Sequence, residues 1–353
     1  MTSNPAAPTR AWADIRLGAI TANARTIASI SGVRLLPMVK ANAYGLGAVP
    51  VARALEPIDP WGYGVVTPEE GVELRQAGIS RPILVFTPYD PGTHGAYLQH
   101  DLRPAIGDLD GLRAWLGLGS RPFHVEVDTG MSRCGFRWDS DLSWAGQLSG
   151  AAGFEGLFTH FHSAGERPES VEVQWNRLRD VLAALPARPA MIHAANSSAA
   201  LRHPSVRGDL VRPGIFMYGG EAGGQQPEPV VRLQAPVVAL RRVRQGESVS
   251  YGATWVAPAD TWVATLGIGY ADGMPRSLAG RGVVELGGRV VPILGRVTMD
   301  FLMVEATEGT ALGELATIFG GTVSLDDQAR RAGTISYELL TALGQRLHRN
   351  YQP

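Results

Sequence analysis

The sequence predicts an α/β chain: an N-terminal (β/α)8 barrel followed by a C-terminal, mainly β domain. Three observations carry this. Short apolar runs alternate with helical patterns from about residue 15 to 219. Several of those runs lack the period-two alternation of a half-exposed strand, as strands covered on both faces should. After about residue 231 the texture changes to strand-rich segments punctuated by glycine turns. Eight strands with intervening helices over this length suit a barrel. A doubly wound sheet is the competitor, and no G-x-G-x-x-G follows the first strand to support it.

The expected barrel strands are 35–39, 61–66, 82–86, 102–106, 123–127, 156–160, 190–193 and 209–212. Between them lie amphipathic segments. In "TPEEGVELRQAG", Thr67 suits a cap, Pro68 the first helical position, Glu70 a capping box and Gly78 the exit. In "ESVEVQWNRLRDVLAAL", Val171, Trp175, Leu178 and Leu182 recur at helical spacing. The "LGGRV" segment at Gly287 and Gly288 is a hairpin signal in the second domain. The expected domains are 14–231 and 232–353, the latter joined by an N-terminal strand within 1–13, with 221–229 as the linker.

Composition sets further bounds. The chain has 353 residues, 45% hydrophobic and 18% charged, which suffices for packed cores and carries no disorder signature. A formal net charge of -1 gives no case for nucleic acid or an anionic membrane surface as partner. One cysteine, Cys134, excludes an intramolecular disulfide. The start "MTSNPAAPTR" lacks the basic and apolar regions of a signal peptide, and no run approaches a membrane span. The expectation is a soluble, cytoplasmic protein with no metal site.

In a (β/α)8 barrel the functional site lies at the carboxyl ends of the strands. Lys40, the only lysine in the chain, ends strand one and is followed by "ANAYGLG". "EVDTGMSRCG" ends strand five, "THFH" strand six, "HAANSS" strand seven and "RPGIFMYG" strand eight. Ser197 after strand seven, and Gly214 with Ile215 after strand eight, suit a phosphate held on backbone N–H groups. A phosphate site opposite a strand-end lysine points to a phosphorylated aldehyde bound covalently by the amine. Pyridoxal phosphate meets that description. A sugar-phosphate aldolase would also use a lysine and a phosphate site, so the residues alone leave both open.

"VKANAYGLG" resembles the pyridoxal-phosphate signature of the alanine racemases, which are of fold type III. The likeness continues in order through "VDTGMSRCGF", "THFHSA", "HAANSSAAL", "VRPGIFMYG", "SVSYGATW", "GIGYADGMPR", "GRVTMDF" and "ISYELL". The resemblance implies a barrel, a β domain and a head-to-tail homodimer with shared active sites. It implies a pyridoxal-phosphate-dependent isomerase that interconverts L- and D-alanine and supplies D-alanine for peptidoglycan. Lys40 would carry the cofactor and act as base on one face of the substrate, and Tyr251, lent by the partner subunit, on the other. Tyr44, Asn196, Ser197, Gly214, Ile215 and Tyr337 would bind the cofactor, mostly at its phosphate. Arg212 would face the ring nitrogen, with His160 nearby. Arg133 would lie near the substrate carboxylate, Met299 would touch substrate from the partner chain, and Tyr270 would line the entry channel. Asp300 would be a supporting residue.

Departures from the pattern are also expected to matter. Many family members carry a carbamylated lysine two residues before the "DTGM" aspartate, where this chain has Glu126. Glu126 offers a carboxylate on a shorter stem and is expected to hold Arg133 without carbon dioxide chemistry. Leu46 is a departure expected to be harmless, whereas Thr298 and Phe301 are expected to alter the partner-side wall and so specificity or rate. A broader racemase acting on serine or basic amino acids, a cofactor carrier without chemistry, and a decarboxylase of the same architecture are the rivals. Tyr251 argues against the carrier. Arg212, where an acidic partner would be expected, argues against the decarboxylase.

Overall fold

A computed structural model describes residues 10–353. Two compact units divide it, 20–217 with 221–227, and 218–220 with 228–353 together with the N-terminal segment up to Ala19. No described helix is long and apolar enough to cross a membrane.

Strand β1 (Trp12–Arg16) precedes the first unit. Nine strands then belong to that unit: β2 (Arg34–Leu35), β3 (Tyr63–Val65), β4 (Ile83–Pro88), β5 (Leu102–Ile106), β6 (Phe123–Asp128), β7 (Phe136–Arg137), β8 (Phe154–Phe158), β9 (Met191–Asn196) and β10 (Leu210–Arg212). All pair in parallel, in the order β2-β10-β9-β8-β6-β5-β4-β3, and short β7 lies beside β6. A parallel bridge between Met38 and Gly64 closes the ring. Gly64 packs closely there: a Cβ at this position would sit 2.5 Å from the Met38 sulfur. The eight expected strands correspond in order to this ring, which is a (β/α)8 barrel.

The crossover helices follow local sequence. Helix Pro68–Gln76 starts in a capping box, with Thr67 accepting from the Glu70 N–H, and gives way to Gly78 at a left-handed φ of +89°. Helix Glu169–Ala184 buries Val171, Gln174, Leu178 and Val181. Trp175 and Leu182, expected on that face, lie half-buried at its edge. The burial stripe instead admits a polar Gln174, whose amide has partners inside.

The second unit holds β1 and β11 (Val231–Val243), β12 (Ser248–Val249), β13 (Trp255–Val256), β14 (Thr261–Leu266), β15 (Val283–Leu286), β16 (Arg289–Leu294), β17 (Leu302–Ala306), β18 (Leu315–Phe319) and β19 (His348–Gln352). The larger sheet runs β14-β17-β16-β15-β18-β11-β1-β19, and β14 also pairs with β11, which curls it on itself. Its pairs are antiparallel except β1 with β19. β1 thus lies between β11 and β19. The part of the expected N-terminal strand before residue 10 falls outside the described residues. Leu286 and Arg289 pair across Gly287 and Gly288, both at positive φ, as a two-residue hairpin demands.

Candidate active site

Lys40 lies just past β2 and the Met38 bridge, and an unusual turn follows it. Ala41, Asn42, Ala43 and Tyr44 all have φ between 51° and 56°. Left-handed backbone costs an L-residue about 1–2 kcal/mol, so the turn stores roughly 4–8 kcal/mol. The surroundings hold it. The Ala43 N–H donates to the Val39 carbonyl, the Gly45 N–H to Ala41 and the Gly47 N–H to Asn42. The Asn42 side chain accepts from the Ala48 N–H at 2.7 Å. Glu70 accepts from the Ala41 N–H at 2.6 Å and from the Val66 N–H at 2.7 Å. "ANAYGLG" is therefore a left-handed turn pinned by a carboxylate from helix Pro68–Gln76. It sets the positions of Lys40 and Tyr44. Burial lowers the Lys40 pKa, Arg133 and Arg212 lower it further, and Glu70 opposes them.

Arg212, 3% exposed, ends β10 and is held from several sides. One terminal nitrogen donates to His193 Nδ1 at 2.8 Å and to the His193 carbonyl at 3.0 Å. The other donates to the carbonyls of Thr159 and Ala194 and to His160 Nδ1, at 2.8, 3.1 and 3.1 Å. Phe86 and Phe158 lie 5.7 and 5.4 Å from its central carbon. Its Nε–H makes no protein hydrogen bond among the described residues. Burial pushes the Arg212 pKa down to about 10, against the pull of Glu126. The guanidinium is still protonated at neutral pH. Burial, then the Arg212 charge, holds His160 and His193 well below the usual histidine range, so both are neutral. His162 instead is exposed and bonds Ser163.

Beside this hub the ends of β9 and β10 meet. Asn196 caps helix Ser197–Arg202 by accepting from the Ala199 N–H. The Ser197 hydroxyl accepts from the Gly214 N–H at 2.9 Å. A Cβ on Gly214 would sit 2.3 Å from the Tyr44 hydroxyl, so only glycine lets the two approach. Ser197, Gly214, Ile215 and Tyr44 are buried together. The Ser197 and Tyr44 hydroxyls, brought together at Gly214, suit a phosphate. The uncommitted Arg212 N–H suits a ring nitrogen, and the depressed Lys40 amine suits an aldehyde. These barrel residues fit a phosphorylated pyridine aldehyde.

Arg133 lies in the turn after β6. Asp128 shapes that turn, accepting from the N–H groups of Gly130 and Ser132 at 2.9 and 3.0 Å. Glu126 is 6% exposed, and burial raises its pKa while Arg133 lowers it. The expected hold on Arg133 is not a direct ion pair. No N···O contact within 4.0 Å joins the two among the described residues, and their coupling is Coulombic.

The remaining candidates belong to the second unit. Tyr251 is 70% exposed and follows Ser250, itself at φ 69°. Tyr270 and Met299 are 41% and 52% exposed. The Tyr270 N–H donates to the Thr298 carbonyl and the Ala271 N–H to that of Met299, which ties their loops together. Arg346 bridges Asp272 and Asp300, and Arg10 bonds Asp272 and the Asp300 carbonyl. Asp300 is thus part of a clamp on these loops. Thr298 and Phe301 bond each other locally. Tyr337, in helix Ser336–Thr341, is partly exposed.

Sequence reasoning missed several residues. Glu70 was legible as a capping residue but not as the anchor of the Lys40 turn. Gln174 bonds Thr129, the His160 carbonyl and the His162 N–H, joining the turns after β6 and β8. His124 and Glu155 lie behind Arg212 and gave no sequence signal.

Comparison with known proteins agrees with this geometry. The model of the alanine racemase N-terminal domain matches residues 15–222, and that of the alanine racemase C-terminal domain residues 230–351. The alanine racemase of Deinococcus radiodurans is 39% identical over 96% of this chain and 98% of its own. The crystal structure of alanine racemase from the D-cycloserine producer Streptomyces lavendulae superposes with a TM-score of 0.91 at 33% identity, over 98% of each chain. That of Bartonella henselae alanine racemase, with covalently bound pyridoxal phosphate, superposes with a TM-score of 0.90 at 30% identity, over 98% of this chain and 100% of that one. With both domain models matched and relatives aligned end to end, the chain belongs to the alanine racemase family, the pyridoxal-phosphate-dependent isomerases that interconvert L- and D-alanine.

Proposed function

We propose that this chain racemises alanine in a homodimer, with Lys40 of one subunit and Tyr251 of the partner acting on opposite faces of the substrate. The observation that carries the reading is the Lys40 turn. A strained, anchored left-handed segment presents the sole lysine, with its pKa lowered, beside Arg212 and the Ser197–Gly214–Tyr44 cradle. Strain of this kind persists where it serves a site.

When bound, pyridoxal phosphate supplies the electron sink that makes the substrate Cα–H acidic. Ser197, Gly214, Ile215 and Tyr44 would hold its phosphate, and Asn196 supports Ser197 as the cap of the same helix. Arg212 would offer its uncommitted Nε–H to the ring nitrogen and, remaining protonated, would disfavour a proton there. Neutral His160 steadies Arg212. Arg133 binds the substrate carboxylate, and Glu126 balances the two arginines. Lys40 Nζ takes or returns the Cα proton on one face, and the Tyr251 hydroxyl does so on the other. Tyr270 and Met299 line the way in, on loops clamped through Asp300. The exposure of Tyr251, Met299 and Tyr270 in the second unit supports a partner barrel as their cover. We place the enzyme in the cytoplasm, supplying D-alanine to peptidoglycan.

The test is incubation with pyridoxal phosphate and L-alanine in heavy water. D-alanine carrying deuterium at Cα, abolished in Lys40→Ala and Tyr251→Phe, is expected. Cofactor binding without Cα exchange would overturn the reading.

A further inference from the structure

A buried chain of hydrogen bonds runs from Arg212 into the barrel interior. His193 Nδ1 contacts an Arg212 nitrogen at 2.8 Å, and His193 Nε2 contacts His124 Nδ1 at 2.8 Å. His124 Nε2 lies 3.2 Å from Glu155 Oε2, and Arg103 Nε donates to the same oxygen at 2.8 Å. Both imidazoles are fully buried. His193 stacks on Phe158 at 4.9 Å, and Trp61 packs at 5.4 Å from His124. At Gly156 a Cβ would meet His124 Nδ1 at 2.3 Å. That glycine admits the His124 ring.

The direction of every bond follows from the two ends. A guanidinium only donates, and an ionised carboxylate only accepts. His193 Nδ1 must therefore present its lone pair to Arg212. Burial keeps both histidines neutral, so the His193 proton lies on Nε2 and is donated to His124 Nδ1. The His124 proton then lies on its own Nε2 and is donated to Glu155. Burial opposes ionisation of Glu155, but the bond from His124 and the charge of Arg103 keep its pKa below the usual value. The chain has one polarity, and reversing it would set two N–H groups against each other at Arg212.

We propose that Glu155, acting through His124, is a positioning residue for racemisation: it is the acceptor that completes the His124–His193 chain and thereby steadies the aim of the Arg212 Nε–H. Glu155 lies two hydrogen bonds beyond the histidine that Arg212 touches, and it acts only by supplying a fixed acceptor. A polarised chain of this kind strengthens each member. The inference rests on the assignment of Arg212 to the cofactor's ring nitrogen.

Neutron diffraction from crystals of the deuterated holoenzyme tests the chain directly. Deuterium is expected on Nε2 of both His193 and His124 and on neither Nδ1. Deuterium on either Nδ1 would overturn the proposal, whatever the activity. Two variants then separate an acceptor from a space-filler. Glu155→Gln keeps an oxygen acceptor, and Glu155→Met keeps the volume without it. Glu155→Met is expected to move the bound cofactor's visible absorption band and lower kcat about tenfold, the scale of one hydrogen bond at a charged group. Its KM should change less than about twofold, since Arg133 is untouched, and Glu155→Gln should stay within about twofold of wild type in both. Equal behaviour of the two variants, in band position and kcat, would overturn the proposal. Loss of racemisation in the wild type itself would instead count against the functional reading.

Discussion

Replacing Glu70 with Gln isolates what holds the Lys40 turn. Glu70 Oε2 accepts from the N–H groups of Val66 and Thr67, at 2.7 and 3.3 Å, while Oε1 accepts from Ala41 at 2.6 Å. Glutamine keeps one oxygen but turns an NH2 toward N–H groups on the other side. Two charge-assisted bonds are weakened and one strong one is lost. At about 1.5–3 kcal/mol for a bond to a charged group, the cost is about 3 kcal/mol. For a unit of this size that lowers Tm by about 6–12 °C. The same loss releases the left-handed turn, which strain of roughly 4–8 kcal/mol drives toward ordinary backbone. Lys40 and Tyr44 then lose their places, and the Kd for pyridoxal phosphate rises about tenfold or more. Calorimetry of the cofactor-free protein gives the first number and an absorption titration the second. A Tm within about 1 °C of wild type, together with unchanged cofactor affinity, would refute the anchoring role.

Three further outcomes follow from the same geometry. Arg133→Leu removes a positive charge that depresses the Lys40 pKa, so that pKa rises. The pH at which cofactor-free protein captures pyridoxal phosphate at half its maximal rate should rise with it, since only the neutral amine reacts. Gly214→Ala puts a methyl group against the Tyr44 hydroxyl; cofactor affinity should fall about tenfold or more, read by fluorescence quenching, with Tm changed by only a few degrees. Arg212→Glu places an acid before the ring nitrogen and strengthens the ring as an electron sink. Pyruvate formed per racemisation turnover should rise, and an unchanged ratio would count against the role given to Arg212.

Apolar runs and their polar ends made the barrel legible, because a strand covered on both faces has little choice of composition. Lys40, Ser197, Arg212 and Gly214 were readable at once, since strand ends in a barrel converge. The left-handed turn was not readable, because alanine and tyrosine are not residues that announce positive φ. Glu70 is 29 residues from Ala41 in the sequence, and only the barrel's closure brings them together. The His124–His193 contact spans 69 residues, and no local pattern marks a histidine as one link in a buried chain. Gln174 shows the converse error: helical spacing favoured Trp175, yet a polar residue with inward partners took the buried position. Glu126 was expected to hold Arg133, but no ion pair joins them among the described residues, and the tie is a field effect.

The most direct test of the central claim, one site built from Lys40 of one subunit and Tyr251 of its partner, is subunit complementation. Lys40→Ala and Tyr251→Phe homodimers are each made, mixed in equal amounts, dissociated and reassociated, and assayed for racemisation. Random pairing gives mixed dimers with one intact site each, so roughly a quarter of wild-type activity should return. Two inactive variants that remain inactive after demonstrated exchange of subunits would contradict the account, for Tyr251 would then not be shared across the dimer.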